Sequence, residues 1–219
     1  MTNSSLVNYT KLSPHCSKRT GKISKITIHH AAGVVSVEAL GNEFSGSREV
    51  SANYGIGSDA AIGLFVPEDF RAWTSGNAAN DEVAVTIEVS NSVSGDPWTV
   101  SDAVLNRLIE LCADICKRSG IGELKYTGGT DGNLTTHKMF AATVCPGPYL
   151  ESRLPYVCAE VNRILMEEKP MDETKEAMQW AADNGIIRGY GDGSYGWDDR
   201  PTRRQLAIML YRLYKLIKE

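Results

Sequence analysis

Apolar and polar residues alternate along two short stretches, "KITIHHAAG" at 25–33 and "AVTIEVSNS" at 84–92. A period of two is that of a strand, so both predict β-structure rich in β-branched residues. In the second, Val85, Ile87 and Val89 share one face and Thr86, Glu88 and Ser90 share the other. "SANYGIGSDAAIGLFVPE", 51–68, predicts two further strands around a turn at Ser58–Asp59–Ala60. Elsewhere the apolar period is that of a helix. "SDAVLNRLIELCADICKRSG", 101–120, carries every helix signal: Ser101 to cap it, Asp102 at its positive end, Lys117 and Arg118 in its last turn, and Gly120 to end it. "YLESRLPYVCAEVNRILMEE", 149–168, predicts another helix, with Pro155 near its first turn, and Ser36 opens a short one in "SVEALGNEFSGS". Strands interspersed with helices predict an α/β fold, a mixed central sheet flanked by helices.

The pattern changes at "EEKPM", 167–171, where Pro170 ends a helix. This divides the chain into a domain over 1–167, a short linker at 168–171 and a small helical C-terminal module over 172–219. The module reads as a helix (172–183), a Gly/Asp loop (185–199) and a second helix (202–218) capped by Thr202. Leu206, Met209, Leu210, Leu213 and Leu216 fall on one face of that last helix. So small a unit buries little surface alone, which predicts packing on the first domain or on a copy of itself.

With 42% hydrophobic and 23% charged residues, the 219-residue chain has the composition of a globular protein with a core of normal size. A net charge of −4 argues against a nucleic-acid binder, and no apolar run approaches the length that membrane insertion needs. The N-terminal stretch is polar and lacks an apolar signal-peptide core, which predicts synthesis in the cytoplasm and release by another route. Five cysteines, an odd count, argue against a disulfide framework. Cys112 and Cys116, four apart, read as buried thiols on a helix face, with a metal or redox pair as the alternative.

Two places combine histidine with other chemistry: the strand end at His29 and His30, and "THKMFAATVCPGP", which holds His137 and Cys145. Zinc accepts imidazole nitrogen and thiolate sulfur, and a catalytic site uses three protein ligands. Two ligands from one loop and one from a strand end would make such a site. The local spacing matches no zinc signature, so a surface histidine and a buried cysteine stand as the alternative.

Taken in order, "ITIHHAAG", "SANYGIGSDAAIGLFVPED", "AVTIEVSNS" and "TTHKMFAATVCPGP" resemble the zinc-dependent N-acetylmuramoyl-L-alanine amidases, the family that includes the peptidoglycan recognition proteins. The likeness spans about residues 10–165, and "LSPHCSKRTGKISKITIHHAAG" is most similar to amidases of phages and prophages of Gram-positive bacteria. The resemblance implies a Zn2+ site made by His29, His137 and Cys145. His30 matches a position that is not a ligand and should point to the opposite sheet face. Glu88 matches a strand glutamate that moves the water's proton, and Tyr54 a tyrosine near the zinc, although an aromatic core residue is the equal alternative. Thr143 stands where some members have lysine, bringing a hydroxyl without a positive charge. The implied activity is hydrolysis of the amide between N-acetylmuramic acid and L-alanine in bacterial peptidoglycan, as in an endolysin. A non-catalytic peptidoglycan-binding protein is the first alternative, and a Cys145/His137 cysteine peptidase the second.

"AMQWAADNGIIRGYGDGSYGWDDRPTRRQLAIMLYRLYK" resembles one S-layer homology module. That likeness implies binding of a secondary cell-wall polysaccharide, with Arg203 pairing with an anionic group at a helix start. Trp197 either stacks on a sugar or lies in the core. Such modules usually come in threes and only one is visible, so either one module suffices or, as expected here, a homo-oligomer formed through this unit supplies the others.

Overall fold

Strands β1 (Tyr9–Thr10) and β2 (Cys16–Lys18) precede β3 (Lys25–His30), where the isoleucine–threonine alternation is realised. In chain order there follow α1 (Val37–Phe44), β4 (Tyr54–Ile56), β5 (Ile62–Leu64), β6 (Phe70–Ala72), α2 (Ala78–Val83) and β7 (Ala84–Val89). Then come α3 (Asp102–Ser119), β8 (Leu134–Thr136), a single 3-10 turn at His137–Met139 and α4 (Pro148–Glu167), with α5 (Glu173–Asp183) and α6 (Arg203–Lys218) last. This computed structural model describes residues 2–167 and 173–218; the linker expected at 168–171, with Pro170, lies outside the described residues. Contacts divide the chain into two units, Met1–Met166 and Glu167–Glu219.

The first unit is built on a mixed six-stranded sheet of order β1-β5-β4-β7-β3-β8. β3 lies parallel between β7 and β8, β4 is parallel to β7, and only β4 and β5 pair antiparallel. Those two are joined by the expected tight turn, in which Ala60 takes a positive φ of 66°. β2 and β6 form a separate antiparallel pair.

The sheet is covered on both faces, which is why β3 is buried almost throughout. On one face Ile26, Ile28, Val85 and Ile87 join the apolar stripes of α3 and α4 in one core cluster. Each fully buried side chain of this size contributes about 1.5–3 kcal/mol relative to exposure. On the other face Leu40 and Phe44 of α1 pack on Phe65 and Ala52, and the central strands present polar groups. There Thr27 and Thr135 share a hydroxyl hydrogen bond of 2.9 Å, and Asn80 Nδ2 donates to Thr27 Oγ1 at 3.0 Å. Paired in this way, hydroxyls are tolerated inside.

Helix α3 is capped as its sequence dictates. The Ser101 side chain accepts from the Val104 N–H, and Gly120 closes the helix at φ 71°, the left-handed region where glycine carries no Cβ penalty. Pro155 is displaced from its expected place. The start of α4 belongs to Pro148, where a missing N–H costs nothing, and Pro155 lies in the helix interior. All five cysteines are free, and Cys112 and Cys116 are fully buried on α3.

Below the sheet's apolar face lies an ion pair that sequence reading did not anticipate. Glu68 is fully buried, and both its oxygens accept from Arg118, at 2.6 and 2.7 Å. Tyr54 Oη donates to the same carboxylate at 2.6 Å and accepts the Ser4 N–H at 2.9 Å. Arg118→Ala removes the cation facing the buried Glu68 side chain, so equilibrium denaturation should show a loss of about 3–5 kcal/mol; a change below about 1 kcal/mol would mean that water replaces the guanidinium.

In the second unit, α6 opens with a reciprocal cap. Gln205 N–H donates to Thr202 Oγ1 at 3.2 Å, and Thr202 N–H donates back to Gln205 Oε1 at 2.8 Å. Arg212 reaches the Ile186 carbonyl at 3.0 Å, tying α6 to the loop after α5. The apolar stripe of α6 stays largely open, with Leu206 and Leu210 about half exposed.

Candidate active site

Three segments far apart in the chain meet at the carboxyl end of β3. His29 is the fifth residue of that strand, His137 opens the turn that directly follows β8, and Cys145 lies in the loop that feeds α4. Pairing of β8 with β3 is what brings the second and third to the first. One ligand atom from each of these three lies within 4.8 Å of the others. The two imidazole rings are 4.6 Å apart between centroids. The His30 backbone N–H donates to Cys145 Sγ at 3.3 Å, and Cys145 N–H donates to Thr143 Oγ1 at 3.2 Å, which fixes the loop.

The donors suit a zinc ion. His29 Nε2 is buried without a hydrogen-bond partner among the described residues, an arrangement that costs free energy unless something takes its lone pair. Burial, aided by the neighbouring His137 and His30, holds the His29 pKa well below its ordinary value. Burial also lowers that of His137. Both rings are therefore neutral at pH 7, the form that ligates a metal. Burial first, and Glu88 second, push the Cys145 thiol up, so without a cation it keeps its proton. Binding a metal there must release that proton.

Glu88 stands beside His29 because β3 and β7 run parallel with these two residues in register. Both line a cavity of about 540 Å³ together with His137, Cys145 and Thr143. Burial raises the Glu88 carboxyl to about 7; Glu43 adds to the rise and Arg48 opposes it. A carboxyl at that value exchanges protons near neutral pH.

Tyr54 is a correction. Its hydroxyl is engaged by Glu68 and Ser4, and it does not line the cavity. The register explains this: Tyr54 pairs with Ile87, on the apolar face, and Gly55 pairs with Glu88. A Cβ on Gly55 would lie 2.6 Å from Phe65, so no side chain fits there. His30 turns away from His29, packing edge-on against Trp98 at 5.3 Å.

In the second unit Trp197 stacks on Tyr195 at 5.1 Å and lines a cavity of about 370 Å³. Arg203 is exposed at the first position of α6 and does not line that cavity; Arg188, Arg200 and Arg212 do. These three were missed because no periodic signal marks them.

A mixed α/β fold with two imidazoles, a thiol and a carboxyl converging at strand ends has the donor set of a metal-dependent hydrolase. The sequence profile of the N-acetylmuramoyl-L-alanine amidases, Amidase_2, matches residues 19–148, and the chain belongs to this family. No curated protein sequence matches it. Among solved structures, that of PlyL is similar at 18% identity and a TM-score of 0.56, over 71% of this chain and 96% of that one. A selenomethionine derivative of AmpD is similar at 19% identity and a TM-score of 0.55, over 72% and 99%. A mutant endolysin from Bacillus subtilis is similar at 17% identity and a TM-score of 0.54, over 71% and 99%. These likenesses establish the shared fold.

Proposed function

We propose that this protein hydrolyses the amide between N-acetylmuramic acid and L-alanine in bacterial peptidoglycan, acting as a phage or prophage endolysin. The observation that carries the reading is the convergence of His29, His137 and Cys145 beside Glu88 in one cavity, in a chain of the amidase family. His29, His137 and Cys145 would hold Zn2+. When bound, the chemistry zinc supplies is polarisation of the scissile carbonyl and acidification of water. Glu88 takes the water's proton and returns it to the leaving amine of L-alanine. The Thr143 hydroxyl, at the cavity wall, donates to the oxygen on which negative charge develops.

The second unit acts as a cell-wall anchor of the S-layer-homology kind. Trp197 offers its face to a sugar of a secondary cell-wall polysaccharide and Arg203 a charge to its anionic groups. Tethering to the wall raises the enzyme's local concentration at peptidoglycan. The open apolar stripe of α6 supports a homo-oligomer through this unit. No described helix is long and apolar enough to cross a membrane.

Incubation with defined muropeptides, with and without a chelator, tests the catalytic claim. Mass spectrometry should show glycans with a free lactyl carboxyl group and free stem peptides beginning with L-alanine, and the chelator should abolish both. Wall binding by zinc-loaded protein with no product at any pH from about 5 to about 9, a span centred on the value near 7 to which burial raises Glu88, would leave a binding protein instead.

A further inference from the structure

Among the described residues, Arg48 is the one permanent cation that lines the cavity shared by His29, His137, Cys145 and Glu88. It sits in the loop after α1, where its carbonyl accepts the Val50 N–H at 2.8 Å. Its Nη1 donates to Glu43 Oε1 at 3.1 Å, and the two side chains are 74% and 51% exposed. A pair so open to water contributes little to stability, so Arg48 can exchange Glu43 for another carboxylate at small cost. The remaining edge of the guanidinium, Nε and Nη2, has the planar fork that matches a carboxylate. Both charges also act on the reaction centre, since Glu43 raises the proton affinity of Glu88 and Arg48 lowers it. Around the pair the wall is apolar, with Val35, Leu40 and Phe44 on it, and an exposed Val144 at the side of Cys145. A chain of net charge −4 thus keeps a single cation in this groove, where an anionic group on a peptide would lie against it.

We infer that Arg48 is a specificity residue that pairs with a free carboxylate of the peptide stem, and that Glu43 holds it in position while the groove is empty. The inference rests on the amidase reading and narrows its substrate class to stems with an unmodified carboxylate near the scissile bond.

The test uses full-length, zinc-loaded protein and two muropeptides that differ only at the α-carboxyl of the second stem residue, free in one and amidated in the other. Wild type should favour the free acid by about tenfold in kcat/KM, carried mainly by KM, as a charge-assisted pair would give. Arg48→Gln should erase that preference by slowing the free acid alone, and Arg48→Lys should restore part of it. Glu43→Gln should strengthen it, by releasing the guanidinium. Any effect of Arg48 on Glu88 acts on both substrates alike and cancels in the ratio. An unchanged ratio in Arg48→Gln, or an equal loss on both substrates, overturns the inference while the amidase reading stands. Cleavage of neither substrate by wild type removes that reading and the inference together.

Discussion

Glu88→Gln should lower kcat on a muropeptide about 10²–10⁴-fold, the range that a positioned acid–base group contributes, while the protein still binds one zinc ion per chain. The expectation follows from geometry. Glu88 is in register with His29 across β3 and β7, shares the ligands' cavity, and has a carboxyl raised to about 7 by burial. The sign of the accompanying stability effect is fixed by linkage. A carboxyl raised in the folded state favours folding while it is protonated, and that contribution is lost as the pH climbs through about 7. Metal-free Glu88→Gln should therefore be more stable than metal-free wild type above that pH, by up to about 3 kcal/mol, and equal to it below pH 4. Activity retained within twofold in the variant would remove Glu88 from the chemistry.

Cys145→Ser should abolish activity by weakening zinc more than about 100-fold, which is the loss that outer-shell changes alone can cause. A hydroxyl is a poorer ligand than a thiolate and keeps its proton at neutral pH. Competition against a chromophoric chelator reads the affinity directly. The same titration followed in unbuffered solution should show wild type releasing a proton as the metal enters, because the buried thiol is held protonated until then. Cys145→Ser should not release it. Zinc affinity unchanged in Cys145→Ser would exclude the thiol from the ligand set.

Much of this was legible in the chain because local rules and tertiary packing agreed. The alternation in 25–30 and 84–89 became two adjacent interior strands, β3 and β7, and Ser101 and Gly120 cap α3 where their residue chemistry put them. The convergence of His29 with His137 and Cys145 was reached through resemblance, since no local spacing encodes a pairing between β3 and β8. Tyr54 shows what a linear reading lacks. Its face is set by a register with β7 that only the folded sheet defines, and it lies with Ile87 on the side away from Glu88. Short strands such as β1 and β8 carry too few residues to show a period. Arg48 was invisible for a related reason: it lies in an irregular loop and gains meaning only from the cavity it borders.

The proposed ligand set is also spread unevenly in time. Synthesis runs from the N-terminus, so His29 leaves the ribosome early, whereas His137 and Cys145 come from the last strand and the loop after it. Of the three proposed ligands, a growing chain that has completed β7 and α3 holds His29 alone. A chain that stops short of β8 lacks two of the three proposed ligands, and the set is complete only once β8 lies beside β3 and the loop before α4 has followed it.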